Sequence, residues 1–267
     1  MKDVGKWLVC RPDFYDVRYE INPWMSKERA PVLDLAKEQW ENLHQTLLKL
    51  GADLHYVEPS PAQPDMVFTA NAGLQLGQTV VLSSFRYSER QGEEPHFQRW
   101  FEANGLSVVE LDDCAFEGEG DALFAGDTLF MGSGFRTDAQ AADKLRAILG
   151  LKEVVVCELV DPYFYHIDTC FCPIAADAAI VWPGAFTNDA VATMRKHLRL
   201  IEIPYDDAKK FACNSVVLGN EIIVPAGADK TYELLAKEGY NSHPVELSEF
   251  MKAGGAAKCL TMKISRK

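Results

Sequence analysis

Short runs in which apolar and polar residues alternate come in pairs along this chain, and each pair is followed by a stretch whose apolar residues recur every three or four positions. MVFTANAGLQLGQTVVLSSF (66–85) predicts two strands around a glycine-bearing turn, then a helix in EEPHFQRWFEANG and a strand in SVVEL. GDALFAGDTLFMGSG (120–134) repeats the hairpin with an A-G-D turn, followed by a helix in TDAQAADKLRAILG and a strand in EVVVCEL. DTCFCPIAADAAIVWPGAF (168–186) is a third hairpin, with NDAVATMRKHLRL and IEIP as its helix and strand. CNSVVLGNEIIVP (213–225) carries a G-N turn of the kind hairpins favour and precedes a helix through TYELLAKEG.

A fifth unit is split between the two ends of the chain. AKCLTMKIS supplies one strand near the end and KWLVCRP near the start its neighbour, with the long helix APVLDLAKEQWENLHQTLLKL next in order. The starts of the units recur every 45 to 55 residues or so, roughly the period of an array rather than of one doubly wound sheet. The pattern therefore predicts an α/β fold: a five-bladed α/β propeller of ββαβ units with pseudo-five-fold symmetry, in which residues 1–267 form a single domain. If the first strand of each hairpin lines the axis, residues near Asn71, Glu117, Asp168, Asn214 and Cys259 converge on a central pocket.

Composition narrows what such a pocket could hold. With 267 residues, 48% of them hydrophobic, the chain has enough apolar material for a substantial core. A net charge of −12 argues against a nucleic-acid backbone or an anionic membrane surface as partner. It is compatible with a cationic small molecule, and equally with the acidity of an ordinary soluble protein. MKDVGKWLVCRP has too short an apolar run for a secretory signal, and no run of about 18 apolar residues occurs, so a cytoplasmic location is expected. Seven scattered cysteines do not form a disulfide framework, and Cys170 and Cys172 lack the spacing of a zinc site, so neither disulfides nor a metal is expected. The outer helices offer a face on which a homo-oligomer could form.

Three stretches carry candidate chemistry. In FEGEGDALF, an extended backbone would put Glu117, Glu119 and Asp121 on one side, either as a solvated acidic edge or around a cation, with glycines permitting close approach. In DPYFYHIDTCFCP, His166 and Asp168 would share a strand face among aromatics, as a core histidine or as a titrating pair. In GGAAKCLTMKIS, Cys259 is inert packing unless a histidine or a bound cation favours its thiolate. Arg90 and Arg136 are surface charges, or together a clamp for a carboxylate.

In chain order, INPWM, PDMVFTANAGL, FEGEGDALF, GFRT, YHIDTCFCP, FACNSVVLGNEIIVP and GGAAKCLTMKI resemble the guanidine-modifying superfamily of arginine deiminases, dimethylarginine dimethylaminohydrolases and amidinotransferases. The resemblance implies the propeller fold, Cys259 as nucleophile, His166 as general acid and base, and Glu117 as the carboxylate beside that imidazole. It implies Asp168 as a partner of the substrate guanidinium, Arg90 and Arg136 as holders of the amino-acid carboxylate, and no metal or other cofactor. Asn71, where deiminases and dimethylarginine hydrolases usually present an aspartate, looks together with Asn22 like the arginine dihydrolases, which form ornithine, ammonia and carbon dioxide. Asn71 could equally shape a turn. In arginine dihydrolases the module is often fused to an ornithine cyclodeaminase-like region, and since this sequence stops just after the nucleophile strand, that region is expected to be absent or omitted. A deiminase or dimethylarginine hydrolase forming citrulline is the alternative within this chemistry, with an amidinotransferase behind it. A catalytically silent propeller that binds a cationic ligand is the alternative outside it.

Overall fold

A computed structural model describes residues 4–264; the first three residues of MKDVGKWLVCRP and Ser265 at the end of GGAAKCLTMKIS lie outside them. In chain order the strands are β1 (Lys6–Cys10), β2 (Asp53–Val57), β3 (Gly73–Leu76), β4 (Thr79–Leu82), β5 (Ser107–Val109), β6 (Ala122–Ala125) and β7 (Thr128–Ser133). They continue as β8 (Val154–Glu158), β9 (Phe171–Ala175), β10 (Ala178–Val181), β11 (Arg199–Glu202), β12 (Val216–Leu218), β13 (Glu221–Pro225), β14 (Asn241–Val245) and β15 (Met262–Lys263). They pair into five three-stranded sheets, β15-β1-β2, β3-β4-β5, β6-β7-β8, β9-β10-β11 and β12-β13-β14. In each sheet the first pair is antiparallel and the second parallel.

A parallel pair needs a crossover. Helices Leu33–Lys49, Glu94–Ala103, Ala141–Leu149, Asn188–His197 and Asp229–Lys237 supply it, one per sheet. Each buries one stripe of its surface, such as Ala36, Trp40, Leu43 and Leu47 on the first, which is the recurrence at three and four positions seen in the sequence. The chain is a five-bladed α/β propeller, and the split blade closes the ring: Trp7 pairs with Lys263 and Leu8 with Met262 across β1 and β15. Buried aromatics fill the spaces between blades, among them Phe130 against Phe171 and Tyr15 against Phe250. A fully buried side chain of this size contributes about 1.5–3 kcal/mol through lost apolar exposure.

Two boundaries differ from the periodicity. The helix expected from Thr137 begins at Ala141, because the side chains of Thr137 and Asp138 bond back to the preceding segment: Thr137 Oγ1 accepts from Glu117 N, and Asp138 Oδ2 from Ala115 N. The residues expected on the axial strands instead occupy turns just before them. Thr69–Ala72, Gly118–Gly120 and Ile167–Thr169 are single 3-10 turns, and Cys259 lies in a turn before a strand of only two residues. All seven cysteines are unpaired and buried. Among the described residues no helix is long and apolar enough to cross a membrane.

Candidate active site

The turns that precede the axial strands meet at one mouth of the propeller. Gly118 shows why FEGEG folds as a turn rather than a strand. Its φ of +60° lies in the left-handed region, and a Cβ there would stand 2.7 Å from the Ala70 carbonyl oxygen. Gly120 makes room in another way: a Cβ on it would stand 2.2 Å from Asn71 Nδ2 and 3.2 Å from His166 Nδ1. These two glycines let the Asn71, Glu117 and His166 turns close on one another.

The turn separates the three carboxylates that an extended strand would have aligned. Glu117 accepts from Arg136 Nη1 (3.0 Å) and His166 Nε2 (2.7 Å) through Oε2, and from Arg86 N through Oε1. Glu119 points elsewhere, accepting from Lys258 Nζ at 2.9 Å and from Lys263 N. Asp121 accepts from Ile167 N, with its other oxygen 3.9 Å from His166 Nε2. All three are buried rather than solvated. Although burial opposes it, the Arg136 guanidinium and the hydrogen bond from His166 hold the Glu117 carboxyl well below its ordinary range. An ionised Glu117 can only accept, which places a hydrogen on His166 Nε2.

His166 and Asp168 do not share a strand face. They flank the start of a 3-10 turn and serve different neighbours. The His166 ring packs on Tyr165 at 4.7 Å, while Asp168 Oδ2 lies 3.2 Å from Cys259 Sγ. Burial pushes the Asp168 carboxyl up to about 7, against the pull of Lys258 and of the hydrogen bonds from Cys259 and Asn214. Burial, with the neighbouring Asp168 carboxylate, holds the Cys259 thiol well above its ordinary value. The side-chain hydrogen-bond partners of this sulfur are Asp168 and Asn214, and the Ala256 backbone N–H also favours its ionised form; no hydrogen bond joins it to His166.

Cys259, Asn71, Asn22, Arg90 and Arg136 line one cavity of about 10 Å3, together with Asp65, Phe68, Tyr165, Met25 and Gly255. A space of that order holds about one water, so these walls must part to admit anything larger. Both arginines are buried and already paired. Arg90 makes two bonds to Glu93, at 2.8 Å each, and donates to Asn71 Oδ1 and the Asp65 carbonyl. Arg136 is sandwiched between Tyr87 and Tyr165, its carbon 4.7 and 4.6 Å from the ring centres, and donates to the Ile21 carbonyl. The Asn71 carboxamide links Arg90 to the Glu117 turn, its oxygen accepting from Arg90 and its nitrogen donating to the Glu117 main-chain carbonyl. The Asn22 oxygen accepts from Trp24 N and Met25 N, and its nitrogen donates to the Ala253 carbonyl, so this side chain fixes the loop over the cavity.

Sequence reasoning did not single out Asp65 as a candidate. Its Oδ2 accepts from Tyr19 and its Oδ1 has no hydrogen-bond partner; burial raises this carboxyl despite Arg90 beside it. In PDMVFTANAGL nothing in the spacing distinguishes it from an aspartate that starts a turn. Tyr165 also went unremarked; its hydroxyl donates to the Gly254 carbonyl and seats the turn before Cys259.

The model of the family described as N,N dimethylarginine dimethylhydrolase, eukaryotic, matches residues 19–266. The chain is 46% identical over 281 residues to a bifunctional arginine dihydrolase/ornithine cyclodeaminase of Synechocystis, a match that takes in 99% of this chain and 38% of that one. It is 36% identical to the N(G),N(G)-dimethylarginine dimethylaminohydrolase of Mycobacterium tuberculosis, over 97% of this chain and 85% of that protein. Among solved structures, the N-terminal domain of a cyanobacterial arginine dihydrolase, a cysteine-to-serine mutant bound to substrate, superposes with a TM-score of 0.94 at 44% identity and 98% coverage of both chains.

Proposed function

The chain belongs to the dimethylarginine dimethylhydrolase family, and from that premise we propose that it is an arginine dihydrolase that converts L-arginine and two waters to ornithine, two ammonia and carbon dioxide. The observation that carries the reading is a buried cysteine in a cavity that also presents Asn71, two guanidinium groups and an unsatisfied Asp65 oxygen. Residues 1–267 form one such catalytic module. Its seven free thiols fit the reducing cytoplasm.

In the reaction, substrate brings the charge that the resting thiol lacks. A guanidinium beside Asp168 and Cys259 keeps the carboxylate ionised and favours the thiolate. The sulfur lone pair then forms a bond to the guanidinium carbon. His166 protonates the departing nitrogen, which leaves as ammonia, and a covalent thiouronium remains on Cys259. His166, oriented by Glu117, takes a proton from water as the water oxygen bonds to that carbon and the C–S bond breaks. Arg90 and Arg136 keep N–H groups for the substrate carboxylate, and Asp65 Oδ1 stands ready for the substrate ammonium.

A ureido product would result if the reaction stopped there. The neutral Asn71 removes one charge that would hold the guanidinium, and beside its bonds to Arg90 and the Glu117 carbonyl it keeps one N–H and one lone pair that can place a second water against the ureido carbon. The water oxygen bonds to that carbon as the second ammonia leaves, and the carbamate left on the side-chain nitrogen then breaks its C–N bond to give ornithine and carbon dioxide. The alternative, a single step yielding citrulline from arginine or a methylated arginine, draws support from the dimethylarginine hydrolase relative. Counting products decides between them: incubation with arginine is expected to yield two ammonia per ornithine, whereas one ammonia per citrulline rejects the dihydrolase reading. Asn71→Asp is expected to shift the product toward citrulline, and an unchanged ratio would remove Asn71 from the second step. Mass spectrometry of protein soaked with arginine separates both from a binding module, which would retain ligand without an adduct on Cys259.

A further inference from the structure

The nucleophile turn hangs on one side chain from a different blade. Asn214 Oδ1 accepts from two backbone groups of that turn, Ala256 N at 3.0 Å and Cys259 N at 3.1 Å. Its main-chain oxygen accepts a third, from Lys258 N. Two backbone donors on Oδ1 fix which end of the carboxamide is nitrogen, since an NH2 turned toward them would find no acceptor. Nδ2 therefore faces the other way. It has two hydrogens and two acceptors: the Asp168 carbonyl oxygen at 3.1 Å and Cys259 Sγ at 3.1 Å. Asn214 is fully buried, so no water substitutes for any of these bonds.

The sulfur thus lies between opposite influences. Asp168 Oδ2 accepts the thiol hydrogen and resists its loss, whereas Asn214 donates to sulfur and favours the ionised form. The other charges near the sulfur belong to fixed pairs or to the cavity wall: Lys258 is bound to Glu119, Arg90 to Glu93, and Arg136 to Glu117, with Asp65 and the Tyr165 phenol completing the surroundings. Among the described residues Asn214 is the side-chain donor whose hydrogen reaches the sulfur.

We propose that Asn214 holds the thiolate of Cys259 in place for attack, through one N–H to sulfur bond and two backbone bonds that fix the turn. The inference rests on Cys259 being the nucleophile of the proposed reaction. Asn214→Asp keeps the shape and both acceptor bonds while replacing the donor by a carboxylate oxygen. The first readout is the pH dependence of Cys259 alkylation by iodoacetamide without substrate, followed on the Cys259 peptide by mass spectrometry. The midpoint in N214D is expected to rise by about one unit or more, and kcat on arginine to fall roughly 10- to 100-fold with KM within about threefold. A folded N214D with the wild-type midpoint, or one in which only KM changes, would leave Asn214 a purely structural residue and overturn the proposal.

Since the variant could fail to fold, a second measurement uses the wild-type protein. The side-chain amide protons of Asn214, followed by NMR, are expected to shift through the same midpoint as alkylation and to stay flat in Cys259→Ser. Amide signals that ignore the ionisation of Cys259 overturn the proposal whatever N214D does. Both thiol readouts are made without arginine, so a chain that failed to turn over arginine would defeat the dihydrolase reading and still pass or fail this test on its own terms.

Discussion

Glu117 and Asp168 are both fully buried carboxylates on adjacent axial turns at the same mouth of the propeller, yet their protons behave in opposite ways. Arg136 and His166 both bond to Glu117, and it is ionised far below the usual range. Among the described residues no cation bonds to Asp168; Lys258, whose charge pulls on it, is committed to Glu119, and burial pushes Asp168 up to about 7. Burial alone does not fix the role of a buried acid; the position of the nearest committed cation does. The imidazole side of the site has its charges balanced in advance. The thiol side is left short of one positive charge, the one an arginine side chain would bring.

The comparison breaks most completely at the sulfur itself. Cys259→Ser should lower kcat on arginine by about 10^4-fold or more, because a hydroxyl is a far weaker nucleophile; residual turnover within about 100-fold of wild type would move the chemistry elsewhere. On the balanced side, Glu117→Gln removes the charge shared by Arg136 and His166 and should cost roughly 10^2- to 10^3-fold in kcat. Steady-state kinetics on a variant with native circular dichroism checks this, and a loss confined to KM would mean that Glu117 serves binding rather than the imidazole.

These two sides were unequally legible in the sequence. Hairpins and helices could be read because a period of two or of 3.6 is local, and the split blade followed from counting units that lacked a partner. Cys259, His166 and Glu117 stand out in their own stretches and the blade count brings their turns toward one axis, but their roles come through resemblance and their hydrogen-bond partners are not readable. FEGEG reads as a strand until Gly118 takes a positive φ, which sends Glu117 and Glu119 to different partners. Likewise the partners that define the thiol side are distant in the chain: Asn214 meets the sulfur across 45 residues, and Lys258 meets Glu119 across 139. No window of sequence spans such pairs. Asp65 escaped notice for the opposite reason, since an aspartate after a proline is ordinary turn chemistry.

On the unbalanced side, Asp168→Asn sharpens the contrast. It should raise the KM for arginine by about 10- to 100-fold through the lost guanidinium partner. It should also lower the alkylation midpoint of Cys259, because the acceptor that resists ionisation is gone; this is the reverse of the shift expected for N214D. A midpoint that rises in D168N would mean that Asp168 is not the group opposing the thiolate.

The smallest expected effect lies in stability, where the two carboxylates should carry opposite signs. Burial raises the folded Asp168 carboxyl above its ordinary value of 3.8 to about 7. Between those limits the folded state therefore holds the proton that the unfolded chain has lost, and the contribution of Asp168 is full below the lower limit and lost as pH rises through the upper one. Asp121, raised to about 6, and Glu93, raised to about 7, act in the same direction. Glu117, depressed below its ordinary value of 4.5, contributes stability above that value that is lost as acid protonates it. Thermal melts at pH 4, 5.5 and 7 should thus show D168N losing less Tm than wild type from the lowest to the highest pH, by about 2–4 °C for each kcal/mol of linkage removed. E117Q should instead flatten the loss of Tm on the acid side of pH 4.5. Parallel melting curves for wild type and D168N across this range would mean that Asp168 is already ionised in the resting protein, and the thiol side would then not be waiting for the charge of its substrate.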